Sequence, residues 1–188
     1  SFISANTTDG TAGDIIINAT DSVTVENNSK LASESVGDGI AGNIDIDTNQ
    51  LNITDNSQAN VSSKGNGSAG SIFVKANNVF LGNTAEIAAK TQESGTDGHI
   101  SLDIINNLEL SDSLISVSTI NAEAGDIDIN ARDSIKLSDN SMIASEAKGT
   151  GFAGELRITT NQFTMTNSQA NVSSKNFGFA GDISINAN

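Results

Sequence analysis

A glycine followed by alternating apolar residues recurs from one end of this chain to the other. The anchors are Gly13, Gly42, Gly70, Gly98, Gly125, Gly154 and Gly181, spaced 29, 28, 28, 27, 29 and 27 residues apart. Self-similarity at such a period is the signature of a repeat architecture, in which each unit buries its apolar face only against its neighbours. No linker or shift in composition interrupts the series, so one continuous domain is expected over residues 1–188.

Several anchors lie in a Gly-x-Gly-x-x-Gly spacing: Gly37, Gly39 and Gly42, then Gly65, Gly67 and Gly70, then Gly149, Gly151 and Gly154. That spacing also marks a dinucleotide-binding turn, which requires a helix to follow. Here it occurs three times and leads each time into a strand-like alternation, so it reads as punctuation and no cofactor is expected.

Each period carries three short alternations. The first follows the anchor, as in Ile15/Ile17, Ile44/Ile46, Ile72/Val74, Ile100/Leu102, Ile127/Ile129, Leu156/Ile158 and Ile183/Ile185. The second gives pairs such as Val23/Val25, Leu51/Ile53 and Leu108/Leu110, and the third, weaker one pairs such as Leu31/Ser33, Ala59/Val61 and Ile143/Ser145. A spacing of two is a strand signal, and Asn, Asp, Ser, Thr and Gly fill the intervals as turn formers. The expected fold is therefore all-β: a right-handed, single-stranded parallel β-helix of triangular section. It would have three short strands per turn, about 28 residues per turn and roughly six turns. Its corners should place Gly and Asn at positive φ.

Composition agrees with that coil. The chain has no Pro, which would remove a ladder donor from a strand paired on both sides, and no Cys, which excludes disulfides and thiolate metal sites. Nine basic residues against 23 acidic ones give a net charge of −14, which opposes binding to nucleic acid or anionic lipid. No apolar run approaches the ~20 residues of a membrane-spanning helix, so no membrane insertion is expected. The abrupt start at Ser1 and the uncapped last strand suggest an excerpt of a longer chain.

Outward positions stack as columns. Five residues past the anchor, Lys75 falls between Asp47 and Asp103, and an ion pair with one of them is expected. Three past the anchor, Asp128 neighbours Arg157. The nonapeptide Asn56–Lys64 returns unchanged as Asn167–Lys175, which points to selection by the scaffold.

The recurrent Ala-Gly-(Asp/Asn)-Ile-x-Ile, as at Ala12–Ile17 and Ala180–Ile185, with the strand at Leu51–Ser57, resembles the repeat region of filamentous-haemagglutinin-type bacterial exoproteins. Those are surface proteins exported by two-partner secretion. The resemblance implies an extracellular or cell-surface β-helical shaft used in adhesion or filaments. It also implies an outer-membrane transporter as export partner, and a cell-surface or matrix partner, or copies of the chain itself, as binding partners.

Candidate sites are few. Asp126, Glu155 and Asp182 share an outward column beside Asp128 and Arg157, which suggests either a polysaccharide hydrolase or lyase or a Ca²⁺ site. The aspartate after the anchor recurs at Asp14, however, which favours solvated turn acids over both. His99, the single histidine, follows Thr96, Asp97 and Gly98 with no nucleophile nearby and reads as an exposed turn residue. Phe73 and Phe80 fall at outward positions of one turn and form a possible interaction patch, while Phe152 and Phe179 share a corner column. Two readings follow: a non-catalytic structural or adhesive shaft, or a carbohydrate-active β-helix enzyme using Asp126, Asp128, Glu155 and Arg157. Turns of 27–29 residues leave no insertion to wall a catalytic cleft, which favours the shaft.

Overall fold

The computed structural model describes residues 1–93, 95 and 98–188. It is a right-handed parallel β-solenoid of about 6–7 turns with repeats near 28 residues. Six-residue strands β1 (Phe2–Thr7), β3 (Lys30–Ser35), β5 (Gln58–Ser63), β7 (Glu86–Thr91), β9 (Leu114–Thr119), β11 (Met142–Ala147) and β13 (Gln169–Ser174) stack in sequence order into one parallel sheet. The second sheet stacks β2 (Ile15–Val25), β4 (Ile44–Ile53), β6 (Ile72–Gly82), β8 (Ile100–Ser111), β10 (Ile127–Ser138), β12 (Leu156–Met165) and β14 (Ile183–Ala187).

The first two alternations of each turn thus lie in one long strand, and the third forms the short one. The reason is where the backbone turns left-handed. Positive φ occurs after the second alternation, at pairs such as Asn27/Asn28, Asp55/Asn56, Asn83/Thr84 and Asp139/Asn140, and at no residue between the first and second. The chain therefore stays extended around the first bend, where the ladder shows only local register shifts, as between Ala19 and Ser22 or Ala131 and Ser134.

No described glycine has positive φ, contrary to the expectation for the corners. Asn, Asp and Thr supply the left-handed turns, and the anchor glycines answer a different constraint. A Cβ on Gly42 would lie 2.3 Å from the Gly13 carbonyl oxygen, and one on Gly70 would lie 2.0 Å from that of Gly42. Successive corners lie against one another backbone to backbone, and a side chain at the anchor would wedge them apart.

The inward columns form the core. Ile44, Ile46, Leu51, Ile53, Ile72, Ile100, Leu108, Ile127 and Ile135 are buried, and similar apolar side chains stack rung on rung about 4.8 Å apart. Each such side chain contributes roughly 1.5–3 kcal/mol on burial. A further inward column escapes a search for Ile, Leu and Val: Thr48, Ala76, Ile104, Ala131 and Thr160, at the bend, are also buried. Ser33 and Ser145 are buried with 0% exposure, and each hydroxyl joins two corners. Ser33 Oγ accepts the Gly42 N–H at 2.8 Å and donates to the Gly13 carbonyl at 3.0 Å. Ser145 does the same between Gly154 (3.0 Å) and Gly125 (3.1 Å). Among the described residues, no buried side-chain nitrogen or oxygen lacks a partner.

That equivalence is general. Residues 2–77 and 114–188 are two copies of one block, offset by 112 residues as far as Thr54/Thr166 and by 111 from Asn56/Asn167 onward. Each copy runs through the same six strands, β1–β6 in the first and β9–β14 in the second. The repeated nonapeptide is the best-preserved part of this duplication, whose copies are set four turns apart.

Candidate binding face

The residue after the anchor glycine has a structural task at several turns. Its side chain accepts the backbone N–H of the equivalent residue one turn on: Asn43 N–H to Asp14 Oδ1 at 2.7 Å, Ser71 N–H to Asn43 Oδ1 at 2.8 Å, and Glu155 N–H to Asp126 Oδ1 at 2.7 Å. The recurring acid is a rung-to-rung clamp, which accounts for its presence at Asp14 and Asp126 alike.

The expected Asp128–Arg157 pair forms, and it is part of a larger network. The Arg157 guanidinium donates to Asp128 Oδ1 at 3.0 Å, to Asp126 Oδ2 at 3.1 Å and to Glu155 Oε2 at 2.5 Å. Hydrogen bonds to Asp128 and then to Asp126 hold the guanidinium charged beyond its ordinary range. An organic cation therefore occupies the space between the three carboxylates. Asp182 joins no ion pair, and among the described residues no group of three or more His, Asp or Glu is placed to hold a metal. Lys75 does stand in register between Asp47 and Asp103, yet it closes no ion pair with either. Asp103 instead accepts the Asn130 amide at 3.3 Å.

His99 does not stand alone. Its Nε2 lies 3.4 Å from Asp128 Oδ2, and its ring packs against Phe73 at 6.4 Å between centroids, tilted by 50°. Thr96 and Asp97, which precede it in the sequence, lie outside the described residues. Phe73 is exposed, whereas Phe80 is half-buried, its ring lying over the place that a Cβ on Gly82 would take, at 2.7 Å. The two phenylalanines sit on opposite sides of the bend in β6, and no ring contact joins them. Phe152 and Phe179 do stack at their corner, 5.7 Å apart and 7° from parallel.

Beside this corner runs a shallow groove of about 490 Å³, lined among others by His99, Glu123, Asp126, Phe152, Glu155 and the anchors Gly125, Gly154 and Gly181. The Asp128–Arg157 pair was legible from column position alone. That His99 and Phe152 line one groove is not, because it depends on how side chains lean across a corner.

Compared with protein-family models, curated proteins and solved structures, the chain matches none.

Proposed function

We propose that residues 1–188 are a section of the shaft of a secreted bacterial surface exoprotein or extracellular filament, structural or adhesive and non-catalytic. One observation carries this reading: both sheets stack through seven strands in sequence order, and repeats of near-constant length leave no loop tall enough to enclose a substrate. Extracellular placement, export through an outer-membrane transporter, and engagement of a cell-surface or matrix partner or of further copies belong to the same reading. They draw on the resemblance of the Ala-Gly-(Asp/Asn)-Ile repeat to filamentous-haemagglutinin-type exoproteins.

Electron microscopy of the native particle tests it. A stiff rod whose length grows by about 4.8 Å per turn supports the shaft; a compact particle overturns it. The alternative, a carbohydrate-active enzyme, draws on the Asp126, Asp128, Glu155 and Arg157 cluster. Turnover of a polysaccharide that disappears in Asp126→Asn and Asp128→Asn would establish that alternative. In the present geometry all three carboxylates are committed to Arg157, which argues for a fixed network over an acid–base pair.

A further inference from the structure

The outer face of the short-strand sheet differs from the rest of the surface. No other described strand lies over it, yet every residue of β3, β5, β7, β9 and β11 is buried or half-buried. The cause is the set of side chains that point outward. The middle column is short, with Ala32, Asn60, Ala88, Ser116 and Ala144 in register. Lys30 pairs with Glu34 across Ala32, and Lys90 pairs with Glu86 at 2.6 Å across Ala88. The result is a flat surface whose side chains have little freedom left to lose on contact. From β1 to β9 its outward charges are Lys30, Glu34, Glu86 and Lys90, which cancel on a chain of net charge −14. They are also ordered: lysine precedes glutamate along β3, and glutamate precedes lysine along β7.

We infer that this face is a pairing surface for a second molecule of the chain, laid against it face to face with the two solenoid axes running in opposite directions. The inference rests on the shaft reading and selects, among its partners, further copies of the chain. A twofold axis along β5 makes the patch complementary to itself. β3 then meets the partner's β7, so that Lys30 faces the partner's Glu86 and Glu34 faces the partner's Lys90. β5 meets its counterpart, setting Gln58 and Asn60 each against the same residue of the partner, where amides donate and accept together. β1 meets the partner's β9, setting Phe2 against the partner's Leu114. Other arrangements fit less well. A twofold along β7 sets Glu86 and Lys90 each against its own kind. Axes running in the same direction keep Lys30 opposite a glutamate, but set Leu114 against the partner's Ser118 and Met142 against the partner's Glu146. Five strands about 20 Å long and about 4.8 Å apart bury roughly 1,000 Å² over the two molecules, at the small end for specific interfaces. Pairing is therefore reversible and rises with concentration.

Sedimentation of the whole chain from micromolar to millimolar concentration tests this, and a monomer–dimer equilibrium is expected. Lys30→Glu and Glu86→Lys each place like charges across the interface twice, and each should weaken pairing by about tenfold. Combining them restores opposite charges only when the axes are reversed, and should return pairing to within about threefold of the parent. Circular dichroism verifies that each variant is folded; where one is not, Glu34→Lys and Lys90→Glu repeat the exchange at the other contact. A dimer that neither single variant weakens forms elsewhere and overturns the face. A combined variant that pairs no more tightly than the single ones overturns the reversed arrangement. A chain that stays monomeric at millimolar concentration overturns the whole inference and leaves the shaft, tested separately by microscopy, standing.

Discussion

In the first copy the outward column three residues past the anchors holds Ile16, Asp45 and Phe73; in the second it holds Asp128, Arg157 and Ser184. Beneath these faces the two copies are built alike. Ser33 and Ser145 each tie a corner N–H to the carbonyl of the corner before it, and Asp14 and Asp126 each clamp the next turn. On the short-strand sheet, the Asn60 amide reaches Glu34 at 3.0 Å and the Asn171 amide reaches Glu146 at 3.4 Å. What survives duplication is the set of groups whose partners lie one turn away, and what drifts is the solvent-facing surface between them. A residue of this chain is constrained by its partner along the axis more than by its chemical type.

The largest effect expected from breaking this equivalence is at the corners. Gly42→Ala and Gly154→Ala each drive a methyl to 2.3 Å from a carbonyl oxygen of the preceding turn, Gly13 and Gly125 respectively. Each should cost about 3 kcal/mol in urea unfolding, by overpacking against a backbone that cannot yield. A loss below roughly 1 kcal/mol in either copy would show that the corners slide freely. Next come Ser33→Ala and Ser145→Ala, which leave a buried N–H and carbonyl without their hydroxyl. Each should lose about 1–2 kcal/mol, and unequal losses would break the equivalence of the copies.

Smaller still is the charged network. Converting Asp128, Glu155 and Arg157 together to the first copy's Ile, Asn and Asp should leave the unfolding midpoint nearly unchanged, within about 1 kcal/mol. A large destabilisation would make the network part of the scaffold. The smallest effect is a pH dependence. Burial pushes the Glu34 carboxyl up, but the hydrogen bond and charge of Lys30, the charge of Lys64 and the Asn60 amide outweigh it, and its pKa falls below the ordinary 4.5. A depressed carboxylate stabilises the fold above its unfolded pKa and loses that contribution as pH drops through the folded value. Thermal melts of Glu34→Gln and of the parent chain should therefore differ above about pH 4.5 and converge in stronger acid; a constant gap across that range would contradict the assignment.

Much of the coil is readable in the sequence, because period-two patterning names inward residues directly: Ile44/Ile46 and Leu51/Ile53 are buried as expected. The glycines mark the corners but not the reason for them, since close approach between turns and positive φ leave the same residue type in a sequence. The left-handed turns passed instead to Asn, Asp and Thr84. The bend that merges two alternations into β2 or β10 left no mark, because its inward residues, Thr48, Ala76 and Ala131, are small or polar. Lys75 shows the limit of column reasoning, for register brings side chains alongside one another without making them meet. At the candidate site, Asp128 and Arg157 were within reach of that reasoning. Phe152 over the groove required the shape of the corner.

The uniform ladder has a mechanical consequence. Every turn folds about 28 residues, roughly 90 Å of extended chain, into a rise of about 4.8 Å. A turn peeled from one end by tension would lengthen the molecule by nearly twentyfold its own rise while the next turn keeps both its sheets and its core. A solenoid pulled from one end would therefore lengthen one turn at a time, in large steps of nearly equal size.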